Sequence, residues 1–206
     1  MGLFDSILEI AAAVTTIALP IRLTDDTLNK AASGLIKKDG TVRAVHLTTH
    51  DGWCQADSHI KHKLSEFDLK VEFEITRFEV SKQVQVIELK QRTPLLTDAD
   101  GWKNKVMLTV IKIIISAFLG KNLLQFELDD MAGVTVAGDI ITVDLTKAGA
   151  TIEMYAAIAD KVILDAPLLA PLLRGGVEAL AERIAITGAE CQAGALVVNI
   201  KYVGTK

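Results

Sequence analysis

Residues Phe67 to Val80 read FDLKVEFEITRFEV, and this stretch decides the fold. Apolar and polar side chains alternate from Phe67 to Thr76, which predicts a β-strand with one face in the core and the other in water. The alternation then slips, because Phe78 and Val80 are apolar on the opposite parity, and this predicts a β-bulge or bend at Arg77-Phe78. At about 3.3 Å per residue the strand would be about 46 Å long, so we expect a long element to cover it.

Alternating segments lie on both sides of this strand. Val45 to Thr49 alternate, and Asp51-Gly52 is typical of a hairpin turn that leads into a weaker strand from Cys54 to Ile60. A partner strand is predicted from Val84 to Leu89, with a comparable slip at Val86-Ile87. The chain before and after Phe67 therefore predicts an antiparallel meander.

The second half of the chain returns to a period of two. Strands are predicted around Leu124 to Leu128, Val134 to Val136 and Ile141 to Leu145, and a final strand runs from Ala195 to Tyr202. Between them a helical region begins near Asp165 and Pro167, and its apolar stripe is formed by Val177, Leu180, Ala181 and Ile184.

Three further helices are predicted. Residues 1–18 form an amphipathic helix, since Leu3, Phe4, Ile7, Leu8 and Ala11 fall on one face. Thr24 is placed as the N-cap of a helix that extends to about Lys38. Trp102 to Leu119 is apolar around most of its circumference, with one narrow polar stripe, and would be about 27 Å long. The residues of that stripe are Lys105, Thr109, Lys112 and Ser116.

Composition and charge exclude several classes of protein. Half of the residues are hydrophobic but only 5% are aromatic, so the interior is aliphatic. A net charge of −4, without a basic run, argues against nucleic acid as a partner. The amino terminus lacks the basic region of a signal peptide, and the most apolar segment is too short to span a bilayer. We therefore expect a soluble, cytoplasmic protein, with peripheral membrane contact as an option.

The sequence shows no motif for catalysis, metal binding or a cofactor. It contains no phosphate-binding loop, no nucleophile elbow and no H-E-x-x-H pattern. Histidines and one cysteine gather between His46 and His62, but strand parity would place them on different faces. Cys54 and Cys191 are read as two separate packed thiols. We therefore expect a protein that is not an enzyme; His46, His50 and Cys54 are the cluster to mutate if it is one.

Leu23-Thr24-Asp25-Asp26-Thr27-Leu28-Asn29 opens the second helix. A Leu-Thr/Ser-x-x-x-Leu-Asn helix start that leads into long alternating strands resembles bacterial members of the tubular lipid-binding (TULIP-like) superfamily. The resemblance covers roughly Ile21 to Val203. It implies an α+β fold, in which a long, curved antiparallel β-sheet is wrapped around a long apolar helix, with additional amphipathic helices. Residues 19–206 would then form a single α+β domain behind the helix of residues 1–18.

The resemblance and the aliphatic composition together predict non-enzymatic binding or transport of a lipid or other hydrophobic ligand in an elongated apolar cavity. No cofactor is expected. The alternative is an interaction or scaffold protein that docks on a partner or a membrane surface through the helix of residues 1–18. The same apolar side chains would also suit a solid core or a helix-grip fold. The predicted ligand-binding residues are Phe67, Leu69, Val71, Phe73, Ile75, Met107, Val110, Ile111, Ile114 and Phe118.

Overall fold

The structure is a computed structural model of the chain, and it describes residues 19–36, 40–81, 83–92, 102–119, 133–146 and 184–202. Most of these residues lie in strands. The strands are β1 (Leu19–Thr24), β2 (Val42–His50), β3 (Trp53–His62), β4 (Ser65–Val80), β5 (Gln85–Gln91), β6 (Val134–Ala137), β7 (Ile140–Asp144), β8 (Ile184–Gln192) and β9 (Ala195–Tyr202). The described helices are α1 (Asp25–Leu35) and α2 (Trp102–Leu119).

All strand pairings are antiparallel, and the sheet branches at β4. This strand pairs with β3 along its first half and with β5 along its second, and Phe73 faces both partners. At the far end Val80 pairs with Ile186 of β8, on the edge of β4 that β3 occupies earlier. The order is therefore β1-β9-β8-β4-β5-β7-β6, and the β2–β3 hairpin forms a second arm on the first half of β4.

The strand predicted from Phe67 to Val80 is present, and it begins at Ser65. The register between β4 and β5 shifts between Ile75 and Arg77, and beyond that shift Phe78 and Val80 are buried. The predicted slip is therefore confirmed as an irregularity centred on Thr76, which keeps apolar side chains in the core on both sides of it. The slip predicted at Val86-Ile87 is wrong, because β5 alternates without interruption between buried and half-exposed residues until Leu89.

The two arms of the sheet meet at their hairpin turns. Gly52, at the predicted Asp51-Gly52 turn, has a φ of 83° and donates its backbone N–H to the carbonyl of Cys191 at 2.9 Å. Gly194, in the turn between β8 and β9, donates to the carbonyl of Thr49 at 3.1 Å. The Asp51 carboxylate accepts a third bond, from the backbone N–H of Ala193 at 2.9 Å. These bonds link arms that are far apart in the sequence.

Helix α1 covers the open edge of β2. The N-cap prediction is confirmed, since the Thr24 hydroxyl accepts a hydrogen bond from the Thr27 N–H at 3.3 Å. One turn further, the Asn29 amide binds both backbone groups of Leu47: it accepts from the N–H at 2.7 Å and donates to the carbonyl at 2.8 Å. Asp25 accepts from the backbone N–H of Thr49 at 3.2 Å and from its hydroxyl at 2.5 Å. The helix thereby satisfies backbone groups that an edge strand leaves unpaired.

The predicted architecture of a sheet wrapped around a long apolar helix is wrong. The described residues form mainly an antiparallel sheet with two short helices, of 11 and 18 residues. Among the described elements, helix α2 has its main contacts with α1, β2 and β3, so it lies against one arm of the sheet. Alternation in a strand shows which face is buried but not what covers that face, and two helices packed together cover it here.

One strand was missed. Strand β8 occupies Ile184–Gln192, whereas Ile184 was assigned to a helical stripe. The alternation of β8 is weak because Ala185 and Ile186 are both buried and the register with β9 shifts between Ile186 and Gly188. The predictions for residues 1–18, Leu124 to Leu128 and most of the region from Asp165 lie outside the described residues. Neither described helix is long and apolar enough to cross a membrane.

Candidate functional site

The predicted ligand-binding residues lie in one continuous apolar interior. Those that are buried are Val71 and Phe73 from β4, and Met107, Val110, Ile111, Ile114 and Phe118 from α2. Those that are half-buried, and packed against the same cluster, are Phe67, Leu69 and Ile75. The structure therefore brings the predicted residues of β4 and α2 together.

Aromatic contacts fix α2 along the first half of β4. Trp102, at the start of the helix, meets Phe67 edge-on with ring centroids 5.9 Å apart. Phe118, near its end, meets Phe73 with centroids 6.2 Å apart. Because the contacts lie in the same order along both elements, the helix and the strand run in the same direction. Buried aliphatic side chains of both elements, among them Val71 and Ile111, belong to the same apolar cluster.

Two serine hydroxyls lie in this aliphatic interior without a partner. Ser58 of β3 is 2% exposed and Ser116 of α2 is fully buried, and neither Oγ atom has a hydrogen-bond partner among the residues that the structure describes. A buried hydroxyl without a partner costs about 1–3 kcal/mol, so such groups are rare. Ser116 belongs to the predicted polar stripe of α2, and that stripe leads from exposed Lys105 through half-buried Thr109 and Lys112 into the core. The alternating pattern of β3, in contrast, does not indicate that Ser58 is a buried polar residue.

The histidines of the described strands lie at separate places on the sheet. His46 lies exposed on the outer face of β2, while Cys54 is buried on the inner face of β3. His50 stacks on Trp53 with ring centroids 3.9 Å apart, and the Arg92 guanidinium lies 4.6 Å from the centroid of the same indole. Among the described residues, no three His, Cys, Asp or Glu side chains are placed to hold a metal ion.

His59 and His62 have different partners. His59 Nδ1 lies 2.8 Å from the Asp68 carboxylate, in a cross-strand pair on the outer face of the sheet. His62 stacks flat on Trp102, with centroids 4.6 Å apart and planes inclined by 6°. His62 therefore belongs to an aromatic contact at the start of α2, which the sequence pattern did not indicate.

Both cysteines are buried free thiols. Burial raises the pKa of Cys191 to about 12, and nearby negative charge from Asp25 and Glu190 adds to the shift. Burial raises the pKa of Cys54 even more, and the nearby Cys191 and Asp25 contribute. A thiol becomes a nucleophile or a metal ligand as the thiolate, so neither cysteine is prepared for chemistry.

No protein family, no curated protein and no solved structure matches this chain.

Proposed function

We propose that the protein reversibly binds a lipid or another hydrophobic molecule in the interior between α2 and the inner faces of β3 and β4, without catalysing a reaction. The observation that carries this proposal is the pair of unpartnered hydroxyls, Ser58 and Ser116, in an otherwise aliphatic region. Sites for hydrophobic ligands are lined mainly by apolar side chains and contain a few polar groups that orient the ligand. Ser58 pairs with Leu69 towards the Trp102 end of this interior, and Ser116 lies beside Phe118 at its other end. A ligand with a polar group near either hydroxyl would provide a partner for it.

The composition of the interior supports the apolar part of such a ligand. Met107, Val110, Ile111 and Ile114 of α2 have flexible or branched aliphatic side chains, and they belong to the same buried cluster as Val71 of β4. Aliphatic walls discriminate weakly between acyl chains, because each methylene contributes only about 0.8 kcal/mol wherever it is buried. We therefore expect selectivity for chain length to be low and selectivity for the polar group to be higher.

The resemblance to tubular lipid-binding proteins gives limited support. Its motif is Leu23 to Asn29, and several of these residues have structural roles: Thr24 caps α1, Leu28 is buried in the core, and Asn29 binds the edge of β2. The motif thus accounts for how α1 joins the sheet, and the ligand hypothesis depends on the interior instead.

Native mass spectrometry of the full chain, purified without detergent, tests the proposal. We expect a fraction of the protein to carry an additional mass, and organic extraction to release an amphiphile of that mass. A chain that carries no added mass, and that does not shift the emission of a fluorescent fatty-acid probe, would contradict the proposal. The double variant Ser58→Ala/Ser116→Ala should bind the same amphiphile at least tenfold more weakly, while the exposed control Ser33→Ala should bind it as the wild type does.

A further inference from the structure

The turn between β3 and β4 presents an apolar side chain to solvent. Lys63 and Leu64 form this turn, since His62 pairs with Ser65. Two-residue hairpin turns favour Gly, Asn and Asp, because the backbone must enter the left-handed region, and Lys63 does so with a φ of 55°. Leu64 is fully exposed. A leucine at this position contributes nothing to the core, and a single exposed leucine is common on protein surfaces.

Trp102 adds a second exposed apolar surface at the same end of β3 and β4. It stacks on His62, the last residue of β3, and contacts Phe67 near the start of β4, yet it remains 43% exposed. Within the described ranges, Leu64 and Trp102 are the exposed large hydrophobic side chains. We call the exposed surface formed by Lys63, Leu64, Trp102 and Lys105 the hairpin tip.

The charge of the hairpin tip is positive although the whole chain carries −4. Lys63 and Lys105 are exposed, and neither has an ion pair in the part of the chain that the structure describes. The nearest carboxylates on β4 are already paired: Glu66 with Lys61 at 2.9 Å and Asp68 with His59 at 2.8 Å. The hydrogen bond from Lys61 lowers the pKa of Glu66, so both members of this pair stay charged. Among the described residues, these two carboxylates therefore do not compensate Lys63 and Lys105.

We propose that the hairpin tip inserts into the interface of an anionic lipid bilayer. Tryptophan and leucine at the boundary between headgroups and acyl chains, with lysines at the phosphate level, form the combination by which surface-bound proteins contact membranes. The size of the patch decides against a protein partner, because a stable protein interface covers about 800 Å² on each side, more than two exposed apolar side chains and two lysines supply. This surface is separate from the proposed ligand site, and either can exist without the other.

Trp102 fluorescence reports this insertion directly. The chain has two tryptophans, so the variant Trp53→Phe leaves Trp102 as the single indole while keeping an aromatic ring beside His50. We expect its emission to shift to shorter wavelength on addition of vesicles that contain phosphatidylglycerol, and brominated lipid to quench it. Vesicles of phosphatidylcholine alone should bind at least fivefold more weakly, and added salt should weaken binding to the anionic vesicles. Unchanged emission with anionic vesicles would overturn the proposal.

Matched variants separate the hairpin tip from other membrane contacts. On the full chain, Leu64→Ser should weaken vesicle binding about tenfold, and Lys63→Glu at least fivefold. The controls Ala137→Ser and Lys90→Glu change exposed residues on other strands and should leave binding unchanged. Binding that persists in both tip variants, or that falls equally in the controls, would overturn the proposal. A dimer in sedimentation analysis that Leu64→Ser abolishes would also overturn it, because the tip would then contact a second copy of the chain.

Discussion

At the scale of single residues, Asn29 shows how one side chain completes the sheet. Its amide takes the place of a neighbouring strand for Leu47, with one bond accepted and one donated. Asn29→Ala would leave both backbone groups without that partner and should lower the free energy of unfolding by about 2 kcal/mol. Urea denaturation followed by circular dichroism measures this change. The control is Lys30→Ala on the exposed side of α1, which should unfold close to the wild-type midpoint. An equal loss in both variants would show that the bonds to Leu47 are not the cause.

At Ser116 we expect substitution by alanine to raise the free energy of unfolding, whereas at Asn29 it should lower it. Its buried hydroxyl has no hydrogen-bond partner among the described residues, so in the free protein Ser116→Ala should raise the free energy of unfolding by about 1 kcal/mol. Ser33→Ala removes an exposed serine from α1 and should gain only the few tenths of a kcal/mol that better helix propensity supplies. Thermal unfolding of both variants, before and after organic extraction, distinguishes the two effects. If Ser116→Ala destabilises the extracted protein, the hydroxyl has a partner in solution.

At the scale of elements, the irregularity in β4 predicts which side chains beyond Thr76 face the core. Uninterrupted alternation from Phe67 would place Arg77 and Glu79 inside, whereas the shift after Ile75 buries Phe78 instead. Phe78→Ala should therefore cost about 3–5 kcal/mol of stability, since it leaves a cavity in the core. Arg77→Ala should leave the unfolding midpoint near the wild-type value, because this side chain is exposed. Comparable losses in the two variants would mean that the strand continues without the shift.

The elements also show what the sequence could predict. Strands β2 to β4, the Asp51-Gly52 turn, the Thr24 cap and the shift near Thr76 were predicted, because each depends on neighbours within a few residues. Strand β8 was missed because adjacent buried residues and Gly188 hide its period. The prediction that the sheet encloses α2 was wrong, because the position of a helix depends on contacts between residues that are far apart in the sequence. The apolar residues of the proposed site could be predicted from their pattern, but the orphaned Ser58 hydroxyl depends on contacts that no local pattern encodes.

At the scale of the whole molecule, segments that are distant in the sequence meet where the hairpin turns of the two arms bind each other; we call this contact the junction. The turns at Gly52 and Gly194 exchange backbone bonds across the junction, and the N–H of Asp25 in α1 donates to the carbonyl of Gly194 at 3.2 Å. Cys54 lies on one arm and Cys191 on the other, and each is buried. Because arms and helix share these contacts, we expect the junction to open in the same transition that unfolds the sheet.

The two thiols test that cooperativity and give a pH dependence with a definite sign. Burial raises the pKa of Cys191 from 9.0 to about 12, so the folded protein keeps its proton where the unfolded chain loses it. The contribution of the raised pKa to the free energy of unfolding is therefore fully present below pH 9. As the pH rises from 9 towards 12, this contribution falls by up to about 1.4 kcal/mol per pH unit for each thiol. The double variant Cys54→Ala/Cys191→Ala, compared with the wild type over this range by urea denaturation, should lose this slope.

Both thiols should also react with iodoacetamide only at the urea concentration that unfolds the sheet, because each is buried in the folded protein. Rapid labelling of either thiol in native buffer would show that the junction opens by itself.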